Sequence, residues 1–529
     1  MRLIKQFICF LVIIAATVTA TASERACHSL NLLSDDKSTI EDTSLVPASD
    51  GLPSYCRVTG HLKSDIRFEM RFPVNDWNGK FYMAGCGAFC GAVGSDTPGF
   101  INSINYGLKR NYAVSTMDSG HNSSSKADGT WAHNNREGEH NWGHLAVTKT
   151  AAFTKKAIKH YYGNAQDYSY FAGCSTGGRM ATMEAYRYPD DFDGVISGAP
   201  ALNYTNLVAT YFAWMHQHNH TADGKEIISH KDISLVSDYV YAQCDGLDGV
   251  EDGLISHPPA CRVSFEQLAC NDDNAGQCLS GKQIEALNKL YSVPVDSKGN
   301  TLFAGAVPIG GEPYWKKWFS ADKSEASSAS NTIQKKKGLM SVLNQQFLSY
   351  MAFDKDPGAS ISPQTFDFDV HPKKLDVMGE IYNADIADLT AFKARGGKMI
   401  MWHGWSDMII PPDMSIDYYE RLISHNGGIK QTQDFARFFL FPGMDHCGLA
   451  PGPGPQQNGF DLLTALENWV EGGKAPDTVM LSKIDKNNRA QWERPSCAYP
   501  KVSQYKGFGD PSKPESFICA DSASIITKN

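Results

Sequence analysis

Gly173-Cys174-Ser175-Thr176-Gly177 follows the run Tyr168-Ser169-Tyr170-Phe171-Ala172, and the serine at its centre is the first candidate for chemistry. A serine hydroxyl is a weak nucleophile unless the chain exposes it and a neighbouring base takes its proton. Glycines two places away on each side permit a sharp strand-to-helix turn that lifts the side chain out of the sheet edge. The pentapeptide also suits a tight turn with an N-capping serine. Its place between a predicted strand and a predicted helix favours the nucleophile.

A base must lie after the last strands, and His446 does, in the turn after Phe438-Phe439-Leu440-Phe441. The acid must follow an earlier strand, and Asp407 stands just beyond Met399 to His403. The order Ser175, Asp407, His446 is that of α/β-hydrolases. Asp445 competes for the acid role, but neighbours in sequence point in different directions, which favours Asp407. His403 is read as packing under the Asp407 turn, and most of the 16 histidines as surface or structural groups. Ester attack needs two backbone N–H donors for the oxyanion, one of them from Thr176 directly after the serine. The glycine-containing turn Gly85-Cys86-Gly87-Ala88, after Lys80 to Met83, is placed to supply the other.

Cys174 directly precedes the candidate nucleophile and Cys447 directly follows the candidate base, which suggests a disulfide between the two loops. Arg2 and Lys5, the apolar run Phe7 to Ala16 and the small residues Ala20-Thr21-Ala22 have the layout of a secretory signal over residues 1–22. A membrane anchor is the alternative, but the apolar run is short for a bilayer. Losing Cys9 with that leader reduces 13 cysteines to twelve, an even number in an exported chain. Local spacing suggests Cys27 with Cys56, Cys86 with Cys90, Cys244 with Cys261, Cys270 with Cys278 and Cys497 with Cys519, leaving Cys174 for Cys447. Zinc is the competing use of cysteine; the absence of paired C-x-x-C motifs argues against it.

The elements that must position these residues follow from short apolar runs bounded by turn residues. Ile66 to Phe72, Lys80 to Met83 and Tyr112 to Met117 read as strands, followed by a helix over Leu145 to Tyr162, the strand before Ser175, a helix from Gly178 to Tyr188 and a strand from Gly194 to Ser197. Alternating strand and helix predicts a mostly parallel sheet covered on both faces. The rhythm stops after Pro200 and returns at Lys398 to His403 and Arg437 to Phe441. Residues 204–390 therefore read as a lid inserted into a core made of 23–203 and 391–529; a separate tandem domain is the alternative. The chain has 529 residues, 42% of them hydrophobic, enough for a large core plus an insertion. Its net charge of -9 is spread without a basic run, so it offers nucleic acid or an anionic membrane no footprint, and the expected partner is a small molecule.

A second constellation is Cys244-Asp245-Gly246-Leu247-Asp248-Gly249-Val250-Glu251-Asp252-Gly253-Leu254. Three carboxylates three and four residues apart, with glycines for tight turns, can converge on a hard cation such as calcium. The EF-hand register fails, since Leu247 and Gly249 stand where acidic side chains are needed. A solvated acidic turn is the alternative.

Leu52 to Val58, the Gly-Cys-Ser-Thr-Gly-Gly elbow, Cys244 to Leu254, Lys398 to Asp407 and Pro442 to Cys447 together resemble the tannase and feruloyl esterase family, which also includes mono(2-hydroxyethyl) terephthalate hydrolase. The resemblance spans nearly the whole chain after the leader. It implies an α/β-hydrolase core with an inserted lid, Ser175, Asp407 and His446 as the triad, and the Cys174–Cys447 disulfide as a hallmark. It also implies a second oxyanion donor at Gly87 or Ala88, although family members often have a more glycine-rich run there. Structural calcium would be held by the side chains of Asp245, Asp248 and Asp252 and the carbonyls of Val250 and Leu254. The activity it implies is a secreted serine carboxylesterase acting on feruloyl, galloyl or other aromatic esters. A terephthalate monoester hydrolase and a catalytically silent binding module are the alternatives. In the lid, Trp214, Tyr314, Trp315, Trp318 and Phe319 could stack on an aromatic acid, and Lys316 and Lys317 could attract a carboxylate.

Overall fold

The computed structural model describes residues 22–94, 102–271, 277–318 and 338–521. Residues 1–21 of the predicted leader, Phe319 and the Ser/Ala/Lys-rich piece 320–337 lie outside the described residues.

Nine strands form one sheet in the order β1-β2-β3-β5-β4-β6-β7-β8-β9. They are β1 (Ser38–Val46), β2 (Tyr55–Leu62), β3 (Ile66–Pro73), β4 (Lys80–Ala84), β5 (Ala113–Met117), β6 (Tyr168–Cys174), β7 (Gly194–Gly198), β8 (Lys398–Gly404) and β9 (Ala436–Phe441). From β5 through β4, β6, β7 and β8 to β9 every pairing is parallel, and β1, β2 and β3 extend the sheet antiparallel. The parallel strands read as continuous apolar runs because both faces are covered; β5 and β7 are buried at every position. Alternate residues divide between two cores. Phe81, Met83, Phe171, Val195, Met399 and Met401 enter one, while Tyr82, Tyr170, Ile196, Ile400 and Trp402 enter the other.

The first core also holds Ala151 and Ile158 of the helix Ala146–Tyr162 and Met180 of the helix Thr176–Arg187. The second is closed by Leu462, Leu463, Leu466 and Trp469 of the helix Leu462–Gly472. Strands β7 and β8 pair, Gly198 opposite Trp402, although residues 199–397 lie between them in sequence. That insertion carries the helices Phe212–Asn219, His230–Cys244, Gly281–Leu290 and Leu339–Tyr350. Capping boxes at Ser229/Asp232 and Ser280/Gln283 start two of them. Its Tyr204, Trp315, Phe347 and Tyr382 join the first core, so the apolar interior runs from the sheet into the insertion without a break.

The six disulfides pair Cys27–Cys56, Cys86–Cys90, Cys174–Cys447, Cys244–Cys261, Cys270–Cys278 and Cys497–Cys519, the pairing that spacing suggested. Two features differ from the sequence reading. Strands β1 and β2 lie outside the predicted strands; β1 shows a ragged burial pattern typical of a polar edge, which leaves little alternation to read. The helix after the serine begins at Thr176 rather than Gly178, because Ser175 itself makes the whole turn. Among the described residues no helix is long and apolar enough to cross a membrane.

Candidate active site

Strand β6 ends at Cys174, and the chain reverses through Ser175 with φ 66° and ψ -124°, a backbone region that residues bearing a Cβ rarely occupy. The reversal brings main chain against main chain. A Cβ on Gly173 would lie 2.5 Å from Gly177 carbonyl atoms, and one on Gly178 would lie 2.2 Å from the Gly198 oxygen. From Ser169 to Ala185, Ser175 is the one residue not buried, so the strained turn presents its side chain outward. The Ser175 N–H donates to Gly198 O at 3.0 Å, and Ser175 O accepts from Arg179 N at 3.0 Å, locking the turn between β7 and the helix.

Strands β8 and β9 end side by side, and their exit turns are stitched by Trp405 N donating to Phe441 O (2.9 Å) and Ser406 N to Met444 O (3.0 Å). A Cβ on Gly404 would lie 2.3 Å from Met444 O, so only glycine allows this approach. The result sets Asp407 Oδ2 2.7 Å from His446 Nδ1. Asp407 is fully buried, and its other oxygen, Oδ1, accepts the N–H groups of Ile409 (3.0 Å) and Ile410 (2.9 Å). Burial alone would push the Asp407 carboxyl up, but the neighbouring His446 and His403 rings outweigh it and hold it at about 2. Asp445 has the opposite character: burial pushes it up to about 7, and among the described residues it accepts one hydrogen bond, from the Ala450 N–H at 2.9 Å. A carboxylate that must stay charged against an imidazolium is therefore better supplied by Asp407 than by Asp445.

The Cys174–Cys447 disulfide, with Cα atoms 6.0 Å apart, ties the residue before Ser175 to the residue after His446. Its Cys447 sulfur lies 3.7 Å from His446 Nε2, the nitrogen not engaged by Asp407. Beside the elbow, Thr176 Oγ1 donates to Ala88 O at 2.7 Å and so fastens the turn after β4 to the start of the helix. The main-chain N–H groups of Gly87, Ala88 and Thr176 donate no hydrogen bond to any described residue.

Two site neighbours carried more than the sequence reading assigned. His403, read as packing beneath the acid turn, is fully buried there and also places Nε2 3.3 Å from Asp407 Oδ2. Because that nitrogen lies 2.8 Å from the Ile410 carbonyl, which can only accept, it bears a proton, and Nδ1 lies 2.8 Å from the Ser415 hydroxyl. The other is Asn102: its Oδ1 accepts from Cys174 N (3.1 Å) and its Nδ2 donates to Cys174 O (3.2 Å). No sequence signal marks that asparagine, since its partner is the main chain of a strand 72 residues away. Among the described aromatics of the insertion, Trp318 adjoins the histidine, edge-on to His446 with ring centres 6.0 Å apart. Trp214, Tyr314 and Trp315 are buried: the Trp214 N–H donates to Lys289 O, the Tyr314 hydroxyl to Gly443 O. Lys316 turns away to Ser234, whereas the Lys317 ammonium lies 4.4 Å above the Trp318 ring.

In the acidic loop, Asp245 accepts from Gly253 N (2.9 Å) and Leu254 N (3.0 Å), Asp248 Oδ1 from Val250 N (3.0 Å), and Asp252 Oδ1 from Leu254 N (3.2 Å). Arg494 from β11 (Ala490–Cys497), which with β10 (Thr478–Ile484) makes a separate hairpin, donates to Asp252 Oδ2. Among the described residues no three His, Cys, Asp or Glu side chains are gathered into a metal-binding group. Yet Asp248 Oδ2 is buried with no hydrogen-bond partner, the Ser256 hydroxyl being near it but outside hydrogen-bonding geometry. Burial pushes that carboxyl up to about 6. The orphaned Asp248 oxygen is the feature of this loop that suits a hard cation, whereas Asp245 and Asp252 are engaged by main-chain N–H groups and Arg494.

A mostly parallel sheet flanked by helices, with Ser175 in an elbow after β6 and Asp407 and His446 in turns after β8 and β9, is the α/β-hydrolase fold. The chain belongs to the tannase and feruloyl esterase family, whose model matches residues 51–520, and it is a carboxylic ester hydrolase. It is 32% identical to mono(2-hydroxyethyl) terephthalate hydrolase of Piscinibacter sakaiensis, over 89% of this chain and 85% of that one. It is 30% identical to feruloyl esterase B of Aspergillus niger, over 88% and 86% of the two chains. The crystal structure of feruloyl esterase B from Aspergillus oryzae superposes with a TM-score of 0.82, at 24% identity, over 94% of this chain and all of the other.

Proposed function

We propose that this protein is a secreted serine esterase that cleaves esters of aromatic acids, feruloyl and galloyl esters first, through an acyl-enzyme. The observation that carries the reading is the Asp407–His446 pair at 2.7 Å, covalently tied through Cys447 and Cys174 to the strained, outward-facing Ser175. Ser175 Oγ attacks the ester carbonyl while His446 Nε2 takes its proton; Asp407 holds Nδ1–H and stabilises the imidazolium. The N–H of Thr176 and one N–H from Gly87 or Ala88 receive the oxyanion. His446 then returns the proton to the departing alcohol, and water, deprotonated by the same ring, releases the acid. Trp318, edge-on to the base, supplies an aromatic wall for the acyl group. Secretion is supported by six disulfides that use every described cysteine, an arrangement suited to an oxidising compartment.

A second reading, hydrolysis of terephthalate monoesters, is favoured by the relative of that activity at 32% identity. Side-by-side turnover of methyl ferulate, methyl gallate and a terephthalate monoester separates the two. The deciding test of the mechanism is labelling by a serine-directed phosphonate. Wild type is expected to react with one equivalent and Ser175→Ala not at all; an unlabelled wild type with intact fold would overturn the serine mechanism.

Calcium on the carboxylates of Asp245, Asp248 and Asp252, with the carbonyls of Val250 and Leu254, belongs to the same reading. When bound, the ion would cross-link the loop and neutralise the orphaned Asp248 oxygen. Bound at a hundred times its Kd, a ligand stabilises the folded state by about 2.7 kcal/mol. Chelation is expected to lower Tm by a few degrees and calcium to restore it; a Tm indifferent to both would remove calcium from the account.

A further inference from the structure

The turn after β4 does something unusual for a donor loop: two residues that carry a Cβ, Ala88 (φ 53°) and Cys90 (φ 64°), adopt left-handed backbone, and Gly91 follows at φ 87°. Side chains disfavour that region, and glycine is the ordinary way to occupy it. Here the first two positions are not glycine, so something else must hold them. Cys86 and Cys90 are joined by a disulfide that closes a ring around Gly87, Ala88 and Phe89. Within the ring, Cys90 N donates to Gly87 O at 3.0 Å. Outside it, Phe89 N donates to Lys126 O (2.9 Å), and Ala88 O accepts from Thr176 Oγ1 (2.7 Å). The bridge is buried, and its Cys86 sulfur lies 4.0 Å from the Met180 sulfur on the helix that begins at the elbow.

We propose that the Cys86–Cys90 disulfide is a positioning device for the oxyanion site, holding the Gly87 and Ala88 amides in their donor orientation in place of the glycines that would otherwise allow it. The inference rests on the esterase mechanism above. Without the cross-link, Ala88 relaxes from φ 53° toward the right-handed region near about -60°. That change rotates the peptide plane between Gly87 and Ala88 and swings the Ala88 N–H away from its donor position. The ground-state ester hardly feels the loss, because its carbonyl oxygen bears little charge; the tetrahedral intermediate does. The brace therefore acts on kcat rather than on KM.

The test is the double variant Cys86→Ser/Cys90→Ser, with loss of the bridge confirmed by mass spectrometry. Removing one oxyanion donor outright lowers kcat about 100- to 1000-fold in comparable hydrolases; a displaced donor is expected to lower it about 10- to 100-fold, with KM changed less than about threefold. The inhibition constant of an aryl boronic acid, which mimics the tetrahedral intermediate, rises by the same factor as kcat falls. Adding Ala88→Gly to the double variant restores part of kcat, because glycine accepts φ 53° unaided. A staple that served stability alone would lower Tm without these coupled changes. Should the serine pair not fold, Cys86→Ala/Cys90→Gly puts a residue at ease with left-handed backbone at position 90, and the same kinetic signature is expected of it. A bridge-free variant with wild-type kcat and boronate affinity overturns the inference. A wild type without Ser175-dependent turnover instead overturns the mechanism on which it rests.

Discussion

Asp407→Asn is expected to leave the fold intact and to lower kcat about 10,000-fold, the scale seen when a triad carboxylate is exchanged for its amide. The amide oxygen can still accept from Ile409 N and Ile410 N, which hold Asp407 Oδ1 at 3.0 and 2.9 Å, so the turn keeps its shape. The NH2 group then faces His446 Nδ1, where a donor meets a donor, and the imidazole must turn over its tautomer or rotate away. The His403 Nε2–H, 3.3 Å from Asp407 Oδ2, would also face the NH2 group but keeps the Ile410 carbonyl at 2.8 Å as its acceptor. Circular dichroism and Tm would establish that the variant is folded, and turnover of a chromogenic ester would measure the loss. A kcat within tenfold of wild type would return Asp445 to the acid role.

The charge on Asp407 also fixes what pH can do. Its folded pKa is depressed from 3.8 to about 2, so the carboxylate is ionised throughout the neutral range and contributes no limb to the activity profile. A depressed folded pKa contributes stability that is fully present above the unfolded value of 3.8 and is lost as pH falls through about 2. Any acid limb seen above pH 4 therefore belongs to another group.

Removing the Cys174–Cys447 bridge by Cys174→Ser/Cys447→Ser is expected to disable the enzyme before it unfolds. The bridge spans 273 residues, and in the chain-entropy model closing so long a loop destabilises the unfolded state by roughly 5 to 6 kcal/mol. At an unfolding entropy of about 2.1 cal/mol/K per residue, a chain of this size would lose about 5 °C in Tm. The kinetic effect is larger in consequence. His446 and Ser175 sit on turns that leave different strands, β9 and β6, and the bridge is the covalent limit on their separation. A drift of about 1 Å in such a pair costs about a hundredfold in rate. The expected result is at least that loss of kcat at temperatures well below the variant's Tm. Full activity in protein shown by mass spectrometry to lack the bridge would reduce it to a staple.

Much of this molecule was legible in local pattern. The parallel strands announced themselves because two-sided burial makes nearly every residue apolar, as at β5 and β7. The elbow was legible because its glycines answer to close main-chain contacts, 2.5 Å at Gly173 and 2.2 Å at Gly178. The antiparallel edge was not, since a polar strand such as β1 derives its shape from its partner, β2, more than from its own alternation.

By itself, then, the amino-acid order determined which residues are chemically capable, the strand and helix alternation that sets Ser175, Asp407 and His446 beyond the ends of strands, and the pairing of nearby cysteines. Only the tertiary structure decided that Asp407 answers to two histidines, that Asn102 clasps the end of β6, that Trp318 rather than Trp214 or Trp315 meets His446, and that Ala88 takes left-handed backbone inside the Cys86–Cys90 ring. The division is physical. Periodicity and turn chemistry act over a few residues, whereas these contacts join segments far apart in the chain, and it is packing of both cores against the sheet that sets their distances.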